Sequence, residues 1–462
     1  MKKYFYILTI FTISCSKVTD QVADSIITGT NFFKTASDAD NAINGCYDAL
    51  QGGAANYVIW GDGRTDIFAV TDRSGSADLT VVSGAISANG GYVGWNSLYT
   101  GINRCNSVLK NVPNIDDPAL AVRKERIIGE AYFLRALFYF YLARTQETAP
   151  LITEAYESLK ADFFPPNSNR AALFAQVEAD LKEAESRVPD LPFSTTIENK
   201  GKATKGAIRS TMADLYLWQK KYQEAADAAD LVIKSPANYS LVAGSSFGTL
   251  FTDKNTRESI LEVQYNYTFL EGNTNGLTEL FLPIGGSYTA GNWRYQPSAA
   301  LLNELPSTDL RAPITYRNTG ATPAPYRDAN QTYIAKYPGT LVGNTLYYDA
   351  NRIVYRLAEI ILFRAEALNE LGQTADAVLL LDQVRKRAGL GETTAETQEE
   401  VRLAIERERF VELAYEGKRY YDLIRTGRYA VVTGHTDPNW LRWPIPDGEL
   451  LRNPNLDQND GY

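Results

Sequence analysis

The chain of 462 residues holds one histidine, three cysteines and two methionines. Any Ser-His-Asp or Cys-His device would have to run through His435. That residue lies in the turn-rich stretch "VVTGHTDPNW" and reads as a loop histidine. No CxxC motif or Cys/His cluster exists, which removes the usual ligands of a thiolate zinc site. Beyond Cys15 only Cys46 and Cys105 remain, either a bridge in an oxidising compartment or two buried thiols. No later apolar run approaches the roughly 20 residues of a membrane-spanning helix. Positive charge is also short: 46 Lys and Arg face 55 Asp and Glu, a formal net charge of -9. Without clustered cations there is no counterion-releasing surface for nucleic acid.

The first residues have a layout of their own. Lys2 and Lys3 precede an apolar run from Tyr4 to Ile13, with the small Ser14 before Cys15. This is the pattern of a signal peptide over 1–14, cut so that the mature chain starts on a cysteine suited to lipid attachment. Thr12 and Ile13 depart from the usual residues before such a cysteine. Residues 15–30 then read as the lipidated Cys15 and a flexible tether.

Tyrosine is the excess, with 29 Tyr beside 18 Phe and 6 Trp. Helical period sets in near residue 35, where Ser37 and Asp40 have capping-box spacing. "GEAYFLRALFYFYLAR" (129–144) is apolar on nearly every side, so it predicts a fully buried helix whose Arg135 needs a carboxylate from another helix. Val354, Leu357, Ala358, Ile361, Leu362, Ala365 and Leu368 recur at helical spacing. Gly372 closes that helix and Thr374 can cap the next. Paired helices with alanines at their crossings resemble tetratricopeptide repeats, which bury their apolar faces by stacking. Residues 51–93 and 236–350 differ: rich in Gly, Asn and Tyr, they read as loops and short extended pieces. The second is too long for a simple connection.

Four segments carry a family resemblance: "GEAYFLRALFYFYLARTQETAPLIT" (129–153), "YRLAEIILFRAEALNELG" (355–372), "ERERFVELAYEGKRYYDLIRTG" (406–427) and "RWPIPDGELLRNPNLDQNDGY" (442–462). With the N-terminal cysteine, they make the chain similar to the SusD/RagB family of nutrient-binding outer-membrane lipoproteins. Tyr420 stands where that family often has Trp, and the chain is somewhat short for it. The resemblance implies a mainly α fold, a tetratricopeptide-like superhelix with an irregular ligand-binding part. One body would then span 31–462, with a helical scaffold at about 31–50, 94–235 and 351–430, loop-rich parts at about 51–93 and 236–350, and a C-terminal signature at 431–462. It also implies a lipid anchor in the outer membrane, a surface facing the medium, a SusC-like TonB-dependent transporter as partner, and an oligosaccharide ligand. Some members take peptides. No cofactor is implied, and no sequence feature calls for calcium.

Glycan capture needs flat rings against the CH face of a sugar and polar side chains for its hydroxyls. Two stretches supply both. "YTAGNWRYQP" carries Tyr288, Asn292, Trp293, Arg294 and Tyr295; "NYVIWGDGRTD" with "SANGGYVGW" carries Trp60, Arg64, Asp66, Asn89 and Tyr92. Trp95, Trp440 and Trp443 read as packing residues. Arg419 and Asp422, with Glu412 and Glu416, read as a structural ion-pair network, as does the pair Asp309/Arg311. A glycoside hydrolase would need two carboxylates about 5–10 Å apart, for which Asp62 and Asp66 are the candidates. A helical-repeat scaffold for another protein is the third reading.

Overall fold

The computed structural model describes residues 32–157, 162–268, 274–285, 291–320 and 330–462; Cys15, the tether and Tyr288 lie outside them. Among the described residues, α1 (Ala36–Gln51) is capped two residues earlier than expected, at Thr35 instead of Ser37. Thr35 and Asp38 form the capping box, with the Thr35 hydroxyl accepting from Asp38 N–H and the Asp38 carboxylate from Thr35 N–H. The stretch expected to be loop then holds two helices, α2 (Ala54–Asp62) and α3 (Ser76–Ser83), on either side of a short strand β1 (Phe68–Val70). α2 is buried along most of its length, so it shows no amphipathic period to read.

A helical layer follows: α4 (Asn96–Asn111), α5 (Lys124–Thr145), α6 (Arg170–Arg187), α7 (Lys205–Trp218) and α8 (Tyr222–Ile233). Every residue of α5 from Ile127 to Thr145 except Tyr132 is buried. Arg135 finds its carboxylate on α6, giving Nε and Nη2 to Asp180 at 2.8 and 2.7 Å. Arg144 pairs with Asp214 of α7 at 2.9 Å. Cys46 and Cys105 are buried and unbridged.

The loop-rich part contributes strands β2 (Ser259–Val263), β3 (Tyr295–Pro297), the hairpin β4 (Thr340–Val342) and β5 (Thr345–Tyr347), and β6 (Arg352–Arg356). Among the described residues every sheet has two strands. β1 pairs antiparallel with β3, setting Val70 opposite Tyr295, and β2 pairs with β6. The chain then re-enters the helical layer as α9 (Leu357–Glu370), α10 (Thr374–Arg387), α11 (Gln398–Glu412) and α12 (Arg419–Arg425). Gly372 takes the left-handed φ of 78° that stops α9, but Thr374 does not cap α10; its hydroxyl donates to Asn369. α7, α8, α9 and α10 stack in sequence as two hairpins, with Ala225, Ala226, Ala228 and Ala229 buried where α8 crosses its neighbours. The fold is mainly α, as the family resemblance implies.

A buried ionic cluster joins the two parts. Arg311 of the loop-rich part gives Nε and Nη2 to Asp309 at 2.9 and 2.7 Å and Nη1 to Glu408 and Glu412 of α11 at 2.6 and 2.7 Å. Arg356 at the end of β6 contacts Glu412, and meets Glu258 and Glu416 at 2.9 Å each. Arg387 reaches Glu412 from α10, and Lys336 reaches Glu416 at 2.8 Å. Burial would raise the Glu412 carboxyl, yet Arg387, Arg356 and Arg311 hold it well below the usual carboxylate range. The expected network is therefore real, but Arg419 and Asp422 are not partners within it. Arg419 binds Asp66 through two bonds of 2.9 Å, and Asp422 binds Arg409 and Arg425.

Asp62 fastens α2 to the same region by accepting backbone N–H groups of Gly417, Lys418 and Arg419 at 2.8, 3.0 and 3.1 Å. The approach is close enough that a Cβ on Gly61 would lie 2.0 Å from the Gly417 carbonyl oxygen. Glu130 of α5 is a second deeply buried acid. It accepts from the Tyr47 hydroxyl at 2.8 Å and lies 3.2 Å from Arg126, and burial pushes its carboxyl up to about 7.

Two outcomes follow from these burials. Glu412→Gln removes the shared partner of three guanidinium groups and is expected to cost about 3–5 kcal/mol of unfolding free energy; a loss under about 1 kcal/mol in chemical denaturation would contradict the role given to the cluster. For Glu130 the folded state holds its proton to higher pH than the unfolded chain does. Stability from the protonated form is thus lost as pH rises from the ordinary glutamate range through about 7. Relative to Glu130→Gln, the wild type should weaken by roughly 3 kcal/mol at most across that window; parallel melting curves against pH would refute it.

Candidate ligand-binding face

The β1–β3 pairing brings together the two stretches singled out in the sequence. Past β1, Thr71 Oγ1 donates to the Trp293 carbonyl at 2.5 Å and Ser74 Oγ to the Arg294 carbonyl at 2.6 Å. Asp78, fully buried in the first turn of α3, is the hub of this seam. Its Oδ1 accepts from the Tyr92 hydroxyl at 2.6 Å, its Oδ2 accepts from Gly75 N–H at 2.7 Å, and Arg294 Nη1 lies 3.6 Å away. Burial, then the bond to Asp78, pushes the Tyr92 phenol up, so Tyr92 stays a donor at any physiological pH.

Six of the nominated residues remain at this surface, Arg294 among them, half-buried beside Asp78. Asn89 is exposed, with its Oδ1 held by Ser87, and Tyr92 is half-buried. Asn292 is half-buried and donates Nδ2 to Glu279 at 2.6 Å. Trp293 is half-buried, gives Nε1 to the Thr332 carbonyl at 3.0 Å, and packs on the small buried cluster of Leu282, Tyr333 and Ala335. Its φ of 47° is left-handed, which costs an aromatic residue of order 1–3 kcal/mol and persists only where the surroundings hold it. Asp66 is half-buried, but both its carboxylate oxygens are taken by Arg419.

Three nominated residues are corrected by their burial. Trp60 is fully buried within α2 and donates Nε1 to the Tyr92 carbonyl at 2.6 Å, so it supports the Tyr92 loop from beneath. Arg64 is buried, gives Nη1 to the Arg442 carbonyl at 2.6 Å, and lies over the rings of Trp440 and Trp443. Tyr295 is fully buried in β3, its ring 4.9 Å from Phe68. Trp95 and Trp443 are buried as packing residues, while Trp440 is half-buried and stacks at 3.6 Å on His435. The two carboxylates considered for hydrolysis are both committed, Asp62 to three amides and Asp66 to Arg419.

The sequence reading missed a ring pair. Tyr347 of β5 meets Tyr267 with centroids 5.1 Å apart, and Tyr267 is more than a third exposed. Strand alternation turns Tyr347 to the face of the hairpin opposite Leu346, which packs on the same Leu282, Tyr333 and Ala335 cluster as Trp293. The hint was the alternation in "TLYYD", but the partner ring comes from a segment far off in sequence. Among the described residues no group of acids, cysteines or histidine is arranged to hold a metal, and no helix is long and apolar enough to cross a membrane.

Sequence profiles match this architecture in two successive pieces. "Starch-binding associating with outer membrane" matches residues 30–217, and "SusD family" matches 263–462. The chain belongs to the SusD/RagB family. SusD-like protein P2 of Formosa agariphila is 27% identical over all of both chains. SusD-like protein P38 of the same organism is 26% identical over 97% of this chain and 96% of its own. Starch-binding protein SusD of Bacteroides thetaiotaomicron is 32% identical, but over 27% of this chain and 24% of its own. Among solved structures, a laminarin binding SusD-like protein superposes with a TM-score of 0.80 at 27% identity, covering 93% of this chain and 100% of the other. A SusD superfamily protein from Bacteroides vulgatus gives 0.79 at 23% identity over 93% and 100%, a likeness of fold.

Proposed function

We propose that the chain captures oligosaccharide or polysaccharide outside the cell and delivers it to a SusC-like TonB-dependent outer-membrane transporter, breaking no bond itself. Trp293 carries this reading. A tryptophan held in a strained left-handed conformation, at a seam of polar side chains, is what a rigid sugar platform requires. Tyr92, Asn292, Asn89 and Arg294 would supply hydroxyl, amide and guanidinium groups on the same face. Tyr288 falls outside the described residues and is proposed as a further contact from its sequence neighbourhood. The names of the starch-binding and laminarin-binding relatives support a glucan as the ligand class. The profile named for association with the outer membrane supports surface anchoring, for which Cys15 is the proposed lipid site.

Calorimetric titration with laminarin and starch oligosaccharides tests the reading, alongside mass spectrometry of the mature N-terminus. The wild type should bind at least one of them. Trp293→Ala should weaken that binding about tenfold, the worth of a well-placed ring contact. New reducing ends released by the purified protein, or full affinity in Trp293→Ala, would contradict it. An unmodified Cys15 would remove the anchor.

A further inference from the structure

Glu279 is a carboxylate beside Trp293 that no cation neutralises. It sits on the helical turn Leu277–Phe281, which Asn275 starts by accepting Leu277 N–H and Thr278 N–H on its Oδ1 at 2.9 and 3.1 Å. The loop that carries Trp293 lies directly on this turn. Asn292, Trp293 and Arg294 donate successive backbone amides to the carbonyls of Glu279, Leu282 and Leu280 at 2.5, 2.9 and 2.8 Å. The fit is tight: a Cβ on Gly291 would lie 2.1 Å from the Leu282 carbonyl oxygen and 2.8 Å from that of Glu279. The half-buried Glu279 is thereby fixed next to the ring platform. Its Oε1 accepts from Asn292 Nδ2 at 2.6 Å. Its Oε2 has no hydrogen bond or ion pair among the described residues and is open to solvent.

We propose, on the strength of the glycan reading above, that Glu279 accepts hydroxyl protons from a sugar resting on Trp293 and makes the face select uncharged glycans over acidic ones.

An ionised carboxylate can only accept, and the rim of a sugar ring is a row of hydroxyl donors. A hydroxyl-to-carboxylate bond is about twice as strong as one between neutral groups. The neighbouring acids do not offer the same service. Asp66 is held by Arg419 through both oxygens, and Asp78 is buried under Tyr92 and Gly75 N–H. A uronate or sulfate group would place a second negative charge against Oε2, where no cation stands within ion-pair distance of Glu279 to offset it. Arg294 does not reverse this balance. Its Nη1 lies 3.6 Å from the buried Asp78, which compensates its charge. Its guanidinium remains a hydroxyl reader and is not an unpaired anchor for an anion.

The test is calorimetric titration of the full chain with laminari- and malto-oligosaccharides and with a galacturonate oligosaccharide of the same length. The wild type should bind a neutral chain at least about tenfold more tightly than the galacturonate. Glu279→Gln keeps an oxygen for Asn292 Nδ2 and removes the charge. It should weaken the neutral ligand about fivefold and shrink the preference over galacturonate to under about threefold, with an unchanged near-ultraviolet circular dichroism spectrum as the control on folding. Wild-type affinity and preference in Glu279→Gln, or galacturonate bound by the wild type as tightly as the neutral chains, would overturn the proposal and leave the glycan reading in place. Equal losses for both ligands in Glu279→Gln would mark a structural role and overturn it as well. Binding of no glycan at all would overturn both.

Discussion

Glu412 has no access to water and is surrounded by Arg311, Arg356 and Arg387. Each arginine comes from a different element: the loop-rich part, the end of β6 and α10. Taking so many charges out of water is costly, and such clusters often stabilise a fold less than an apolar core of the same volume would. What they supply here is a fixed geometry. The segment 236–350 has little core of its own, and its two-stranded sheets would be marginal in isolation. Arg311 and Lys336 tie it to α11 and its C-terminal extension, so the loops inherit their order from the helical layer.

The proposed ligand-binding face lies at the other end of that segment. β3 reaches β1, the seam closes through Thr71, Ser74 and Asp78, and the strained Trp293 stays at the surface. Few of these groups move freely, since Asp78, Trp60 and Tyr295 are buried beneath the side chains that remain exposed. A pre-ordered face loses less entropy on binding. Weak ring and hydroxyl contacts can then add up to useful affinity without any acid–base chemistry.

Much of the scaffold was legible in the chain. The apolar run 129–144 predicts a buried helix, and Arg135 within it requires a buried carboxylate, which Asp180 supplies. The periodicity from Leu357 to Leu368 and the stop at Gly372 place α9 and the next helix, although Val354, which falls on the same period, lies in strand β6. The site was legible only in outline. "AANYVIWGD" looks like loop because Gly52, Gly53 and Gly63 flank it and because a helix buried on all sides has no polar stripe. That hid α2 and put Trp60 and Arg64 among the ligand contacts. Tyr295 misled for a similar reason: its Gly/Asn-rich neighbours suggest exposure, whereas pairing with β1 buries it. Arg419 and Asp422 sit three apart on one helix, yet Arg419 pairs with Asp66, and Asp422 with Arg409 of α11 and with Arg425 on its own helix. Local spacing fixes which groups are neighbours on an element, not which of them face another.

The claim under all of this is that the proposed ligand-binding face and the helical layer form one cooperative unit joined by buried charge. Native-state hydrogen exchange across a denaturant series measures that directly. The account predicts that amides of the β1–β3 ladder and of α11 open with the same free energy and the same denaturant dependence. A ladder opening several kcal/mol below α11 would show a face that folds and frays by itself, and would contradict the account.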